Sequence, residues 1–522
     1  MVFLMSNILE KKYRILLIRP YFEMIRTELG FLPYEPLGLH YIWAALLKGG
    51  HKIDLYDCLA EHSEKTRYIK ERDVYRCGGN DADIRKRITK FKPDIVCVSG
   101  TFFAQAQPFF RIADLAKQVS PKILVVGGGI FPSLYLEKAL IENRNLDVIV
   151  IGEGEGTIVD LINNLDDLSK VKGICFRDAD GKIINTGERE LRMNLDELPL
   201  PHRDFSKLFN YAIHVGYIWS DSFDLKKSLK RFVYYRICFL PIVRNLVAKI
   251  FNYLHRHKYR AILMPHAFIS TSRGCPNRCS FCSVHKFWKG LYRMRSVESV
   301  MSEIDLLVRH GVKDIGIVDE NFTASRERTI KICQAIIDRG YNIRLTSHSG
   351  FYLPSLNKDV LEYLYKAGLK IIPFAIENGD QEFLDKVIKK RLNLEHAKEI
   401  VRQANEVGLH TAGYFIFGHP GETKEIMLKT FKYAFESGFA EPRFSMLQPF
   451  PGTQVYQDAV KAGIINEDLN ISRLKFSTDT PQVGTKDFTK EDVKKIFDLA
   501  YKTARKGNYA EIKDKVREVL KW

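Results

Sequence analysis

Short apolar runs punctuate the first 155 residues: "RILLIRP" (14–20), "KIDLYD" (52–57), "DIVCVSG" (94–100), "KILVVGGG" (122–129) and "DVIVIGEGE" (147–155). Between them, apolar residues recur at helical spacing in "GLHYIWAALLKGG" (38–50), "DADIRKRITKFKP" (81–93) and "QPFFRIADLAKQVS" (107–120). Unbroken β-branched runs read as strands buried on both faces, and the helices between them as crossovers. Residues 1–155 therefore predict a doubly wound, Rossmann-like parallel sheet. Such sheets take ligands at the carboxyl ends of their strands. There the sequence places Ser99, Gly100 and Thr101, then Gly127, Gly128 and Gly129, then Gly152 and Glu153. Glycine at these points lets a backbone approach a ligand; the plainer reading is a set of tight turns.

Residues 156–205 read as a bridge. "GICFRDADGKIINTG" predicts a small hairpin around Asp-Gly, and "LDELPLPHRDF" (195–205) a proline-punctuated linker. A second alternation begins at 266. Runs in "AFISTSRGC", "DIGIVDENF" (314–322), "IRLTSHSG" (343–350), "IIPFAIENG" (371–379), "TAGYFIFGHPGET" (411–423) and "PRFSMLQPFPGT" (442–453) alternate with helical patterns at 297–310, 325–339, 357–367, 393–407 and 424–437. About six βα units over 266–460 predict a partial or full parallel barrel, whose chemistry sits at the carboxyl ends of its strands. Residues 461–522 read as a helical region, rich in lysine from 487 on.

Composition narrows the class. Of 522 residues 45% are apolar and 27% charged, as in soluble globular chains, and no apolar run is long enough to span a bilayer. The first residues lack the charged start and cleavage site of a signal peptide. Nine cysteines, an odd number and mostly scattered, suit a reducing cytoplasm rather than a disulfide framework. The net charge of +17 is uneven: residues 225–260 hold ten Lys or Arg and no Asp or Glu.

Against that sparing use, "STSRGCPNRCSFCSVHKFW" (270–288) puts Cys275, Cys279 and Cys282 within eight residues. Three thiolates leave a tetrahedral zinc site one ligand short, and His285 is the candidate fourth. Thiolates also hold iron–sulfur clusters, where a three-cysteine set leaves one iron open for catalysis.

"C-P-N-R-C-S-F-C", following a barrel-opening strand, resembles the cluster loop of radical S-adenosylmethionine enzymes. That resemblance implies a 4Fe-4S cluster on the three cysteines, with S-adenosylmethionine on the fourth iron and cleaved to a 5′-deoxyadenosyl radical. It places Phe281 near the adenine. "FAIENGDQEFLDKVIKK", "GIVDENFT", "YFIFGHPGET" and "QPFPGTQVY" resemble further motifs of the branch that includes cobalamin-binding radical methylases and the anaerobic Mg-protoporphyrin ester cyclase. They imply that Glu377, Asp319 and Gly418 contact S-adenosylmethionine. Where that branch often has an arginine after the third strand, this chain reads "SHSG", with His348. The N-terminal sheet resembles the branch's cobalamin-binding domain, which implies cobalamin at Ser99, Gly100, Thr101, Gly127, Gly128, Gly129, Gly152 and Glu153. The D-x-H-x-x-G motif that would supply a cobalt-ligating histidine is absent after "RILLIRPYFE".

The insert at 206–265 has no counterpart in that pattern. "LKKSLKRFVYYRICFLPIVRNLVAKIFNYLHRHKYR" predicts two helices broken at Pro241, either packed over the barrel or lying on anionic lipid. It is too apolar for a simple phosphate-binding arm, so nucleic acid is not the expected partner. The expected activity is cobalamin-dependent C-methylation of a small-molecule or lipid-like substrate in the cytoplasm, peripheral to the membrane, with a flavodoxin or ferredoxin as electron donor. The alternatives are a radical oxidoreductase, cyclase or coupling enzyme, and a zinc-stabilised RNA- or membrane-binding module.

Overall fold

The computed structural model describes residues 11–24, 34–62, 65–207, 266–347, 349, 351–465 and 480–522. The expectations for the insert and for His348 lie outside them, residues 206 and 207 apart.

The five expected N-terminal strands form: β1 (Arg14–Arg19), β3 (Lys52–Asp57), β6 (Ile95–Ser99), β7 (Leu124–Gly128) and β8 (Val148–Val150). They pair in parallel in the order β8-β7-β6-β1-β3. The chain leaves β1 toward one edge and later returns to its other side through β6, so the topological switch point lies between β1 and β6. Both faces are covered because the strands are apolar on both. Helices α1 (Leu37–Leu46) and α5 (Gly154–Asn163) pack on one face, and α2 (Asp81–Phe91), α3 (Ala106–Val119) and α4 (Ile130–Glu142) on the other.

Two features differ from the sequence reading. The hairpin β9 (Ile174–Arg177) and β10 (Ile183–Asn185) is part of this sheet rather than of a linker, and β9 pairs antiparallel with β8. Its placement covers the hydrogen-bonding edge of a buried strand. In addition β2 (Phe22–Met24), β4 (Thr66–Ile69) and β5 (Val74–Cys77) make a small antiparallel sheet that follows the carboxyl ends of β1 and β3.

The second unit is an open barrel. β11 (His266–Ile269), β14 (Asp314–Ile317) and β15 (Arg344–Ser347) form one parallel sheet, and β16 (Ile371–Glu377), β17 (His410–Phe417) and β18 (Glu441–Met446) another. A parallel bridge from Leu345 to Leu369 joins them into six strands. The crossovers are α6 (Val297–Arg309), α7 (Arg326–Asp338), α8 (Lys358–Lys366), α9 (Leu394–Val407) and α10 (Lys424–Glu436). Their sequences carry their own boundaries. α6 starts where Ser296 accepts the Ser299 amide and buries Val300, Met301, Ile304 and Leu307; α9 starts at the Asn393 cap and ends at left-handed Gly408. The tail supplies α11 (Gln454–Lys461) and α12 (Lys490–Lys506), and α12 packs Val493, Ile496 and Phe497 into a cluster with Phe417 and Met446.

Buried charge welds the two units. Glu35 accepts from Arg203 Nε (2.5 Å) and from the Phe268 amide at the start of the barrel (2.7 Å). Arg203 also reaches Glu303 (2.8 Å), which pairs with Arg295. Two guanidiniums thus face two carboxylates with no excess charge, the condition under which buried ions are tolerated.

Candidate functional site

The three cysteines sit in a loop framed by a two-residue ladder, β12 (Ser272–Arg273) against β13 (Arg293–Met294). The segment after β14 braces this loop from below. Asp319 accepts from the Thr271 amide (2.6 Å), Thr271 Oγ1 (2.5 Å) and Ser272 Oγ (2.6 Å). Glu320 accepts from the Gly274 amide (3.0 Å) and Trp288 Nε1 (2.6 Å). Asn321 Nδ2 reaches Cys275 Sγ at 3.6 Å. Asp319 is therefore turned inward, a brace for the loop rather than a group presented to the barrel mouth. From above, the Ser280 amide donates to Ile388 O (2.9 Å) and Ser280 O accepts from the Val455 amide (3.0 Å). Gly274, at φ +94°, has no room for a side chain: a Cβ would stand 1.9 Å from Leu291 O.

All three cysteines are half-buried. Burial pushes the Cys279 thiol up to about 11 and Cys282 up to about 12, so as free groups they stay protonated at neutral pH. A metal centre would reverse that, because thiols bind metal as thiolates. Among the described residues no three of His, Cys, Asp and Glu lie close enough to share one metal ion. A single zinc would need its ligands within about 2.3 Å, whereas a four-iron cube takes one thiolate per iron and spreads them wider. His285 turns its ring onto Gly290 of the same loop. Three cysteines at this spacing fit the donor set of an iron–sulfur cluster.

The barrel mouth beside this loop carries buried polar atoms without protein partners: Asn277 Oδ1, Asn321 Oδ1, Thr346 Oγ1, Gln448 Oε1 and both ring nitrogens of His419. Buried polar groups are normally satisfied, and these unmet atoms fit a polar ligand such as S-adenosylmethionine. Phe281 lies edge-on to His419, ring centroids 5.7 Å apart. Burial alone drives the His419 ring down to about 3, leaving a neutral imidazole that can both donate and accept. Glu377 stands at a bulge ending β16, in a left-handed conformation (φ 73°) that bulky residues adopt only under constraint. It pairs with buried Lys390 at 2.8 Å. Lys390 follows a π-turn, Leu384–Ile388. Gly418, also left-handed, donates its amide to Glu422 (2.8 Å) and abuts Val493 of α12.

At the sheet edge the glycines divide. Gly100, Gly127 and Gly129 are small because neighbours fill their space: added Cβ atoms would meet Pro132, Phe109 and the Gly100 carbonyl at 2.8, 2.5 and 2.6 Å. Gly152 faces open space, and a Cβ on Gly128 would meet only Val150, at 3.7 Å. With half-exposed Ser99 and Thr101 and exposed Phe102, they form a floor without side chains flanked by hydroxyls and a ring. That fits the amide- and phosphate-bearing periphery of a corrinoid. The first histidine after β1 is His40, buried with Nδ1 2.6 Å from His202 O. Glu153 points elsewhere: Arg273 and Arg293 hold its carboxylate at 2.7 and 3.0 Å and, against the upward push of burial, keep it below the usual range.

The two edges face one another. Phe450, in the loop after β18, stacks on Phe103 just beyond β6 (centroids 5.4 Å apart, 15°), while Arg273 reaches from the cysteine loop to Glu153 and Glu155 after β8. A thiol triad at a parallel-barrel mouth, opposite the strand ends of a doubly wound sheet, defines a radical S-adenosylmethionine enzyme joined to a corrinoid-binding domain. Comparison with known families agrees: residues 269–434 match the Radical SAM superfamily and residues 31–162 the B12 binding domain. The chain thus joins a B12-binding domain to a radical S-adenosylmethionine domain, with a 4Fe-4S cluster, S-adenosylmethionine and cobalamin as cofactors. It is 28% identical over 475 residues to the cytidylyl-2-hydroxyethylphosphonate methyltransferase of Streptomyces wedmorensis, covering 89% of this chain and 84% of that one. It is 29% identical to an uncharacterized methyltransferase of Pyrococcus horikoshii, over 94% and 92% of the two chains. The fold superposes on the cobalamin-dependent S-adenosylmethionine radical enzyme OxsB with a TM-score of 0.65 at 17% identity, over 96% of this chain and 67% of that one.

Lys390, His419 and Glu422 were not singled out from the sequence. His419 had a visible signal, a histidine directly after an apolar strand in "FIFGHPGET"; Lys390 had none.

Proposed function

We propose that this chain is a cobalamin-dependent radical C-methylase acting on an unactivated carbon of a small-molecule or lipid-like substrate. The observation that supports the reading is the direct bridge from the cysteine loop to the sheet edge, Arg273 to Glu153 and Glu155, which ties the thiol triad to the strand ends of the B12-binding sheet. When bound, the cofactors supply an electron, a radical that removes hydrogen from carbon, and a methyl group. The chain's own residues do the rest. Cys275, Cys279 and Cys282 anchor the cluster, and Asp319 and Glu320 fix their loop. Asn277, Asn321, Thr346, His419 and Gln448 turn unmet polar atoms toward S-adenosylmethionine and substrate, while Ser99, Thr101, Gly128 and Gly152 take the corrinoid. The Phe450–Phe103 stack helps exclude water where the two units meet.

The two similar chains named as methyltransferases support methyl transfer over the cyclase or coupling alternatives. The electron comes from an external reductant of the flavodoxin or ferredoxin kind. The segment 225–260, ten cations and no acid among aromatics, supports contact with an anionic membrane surface and hence a substrate made there. Among the described residues no helix is long and apolar enough to cross a membrane.

Anaerobic purification followed by analysis of iron, sulfide and cobalamin tests the cofactor reading; about four irons and one cobalamin per chain are expected. Methyl transfer predicts S-adenosylhomocysteine alongside 5′-deoxyadenosine on turnover. Release of 5′-deoxyadenosine alone selects the oxidoreductase or cyclase reading. Deleting 225–260 should abolish co-sedimentation with anionic vesicles, and unchanged binding refutes the membrane contact.

A further inference from the structure

Glu153 and Arg273 lie 120 positions apart in the chain and meet across the domain boundary. Glu153 directly follows Gly152, the strand-end glycine that faces open space, and directly precedes α5. Arg273 stands two residues before Cys275, directly across the β12–β13 ladder from Arg293. The Arg273 fork is divided: Nη1 donates to Glu153 (2.7 Å) and Nη2 to Glu155 (2.6 Å). Arg293 adds a second guanidinium to Glu153 and donates to the Arg192 carbonyl (2.6 Å). The Trp288 ring lies against both guanidiniums, 5.8 Å from Arg273 and 5.2 Å from Arg293. Its Nε1–H goes to Glu320, which also takes the Gly274 amide. A run of contacts therefore leads from Glu153 to Gly274, next to the first cysteine: charge-assisted bonds at Glu153 and Glu155, the Trp288 ring against both guanidiniums, and the bonds of Glu320, through side chains that are buried or half-buried.

We infer that this clamp makes Arg273 and Glu155 positioning residues that couple the two cofactor sites, so that cluster occupancy and cobalamin affinity rise together. The inference rests on the cobalamin reading above. Three iron–thiolate bonds on residues 275–282 restrain the segment that carries Arg273. The fork transmits that restraint to Glu153 and Glu155 at the start of α5, and so fixes the peptide at Gly152. Coupling between sites is reciprocal, so bound cobalamin holds the loop for the cluster by the same factor. The guanidinium fork matters because it spans two carboxylates in one plane; a lysine ammonium keeps the charge but cannot do so.

The test is hydroxocobalamin titration of the full chain, anaerobically, in its four-iron form and after iron removal by a chelator. Wild type should bind about fivefold or more tightly with the cluster assembled, within the usual range of site–site coupling. Arg273→Lys and, independently, Glu155→Gln should bring that ratio below about twofold. In wild type the electron paramagnetic resonance spectrum of the reduced cluster should change when cobalamin is added, and in both variants it should not. Glu155→Gln removes only one arm of the fork and keeps the inference testable should Arg273→Lys fail to fold. A merely structural contact would lower affinity equally in both cluster states and leave the ratio intact, which overturns the inference. Equal affinity in the two states of wild type also overturns it, with the cobalamin reading left standing. No binding in either state overturns that reading and the inference with it.

Discussion

Glu422 allows a quantitative test of the barrel mouth. Its side chain is fully buried and accepts from the Gly418 amide (2.8 Å), the His419 amide (3.0 Å) and Asn378 Nδ2 (2.9 Å). Burial outweighs those donors and pushes its pKa from 4.5 up to about 8. The folded chain thus keeps a proton that the unfolded chain gives up near 4.5. Stability from this group is fully present below the unfolded value and is lost as pH climbs through the folded one. At about 1.36 kcal/mol per pKa unit the whole effect is on the order of 5 kcal/mol. Of this, about 3 kcal/mol falls between pH 5.5 and 8. Glu422→Gln has the same shape and no proton to lose. Melting curves of variant and wild type at the two pH values isolate the effect, since every other titrating group is common to both. With the barrel as the cooperative unit, about 2–4 °C per kcal/mol means the variant gains about 6–12 °C relative to wild type on going from pH 5.5 to 8. A gap that stays constant, or moves the other way, refutes the assignment of a buried, proton-holding carboxyl at this strand end.

Other positions give equally direct outcomes. Gly274→Ala drives a Cβ into Leu291 O, so the cysteine loop cannot close and reconstituted iron should fall from about four per chain to below one, measured by iron assay. Lys390→Met strands Glu377 as an uncompensated buried charge and should cost about 3–5 kcal/mol in thermal or denaturant unfolding. Arg203→Met leaves Glu35 and Glu303 facing each other without their shared cation and should cost a similar amount; an unchanged melting temperature would show that the weld between the units is weaker than its geometry implies.

The repeating units were legible because buried parallel strands and amphipathic helices leave long, periodic signals. "RILLIR", "IVCVS" and "LVVGG" became β1, β6 and β7 almost to the residue. The cysteine triad was legible because its spacing is local. What escaped is non-local or aperiodic. β2, β4 and β5 are three or four residues long and partly polar, below any period that could be read. The hairpin at 174–185 was seen, but nothing in its sequence says which strand edge it covers. Asp319 looked available as an acidic group at a strand end. Its inward turn is dictated by three donors at 271 and 272, nearly fifty residues earlier. Glu153 looked like part of a glycine-rich ligand turn, and only the docking of the barrel shows that two arginines occupy it.

Gly418 is crowded by a residue made long after it. The turn that carries His419 and Glu422 is translated with β17, yet the wall that presses on it, Val493, belongs to α12, more than seventy positions downstream. During synthesis the barrel therefore passes through a stage in which its strands are complete and this turn is still uncovered. The turn therefore gains its α12 wall only once the C-terminal helix has been made.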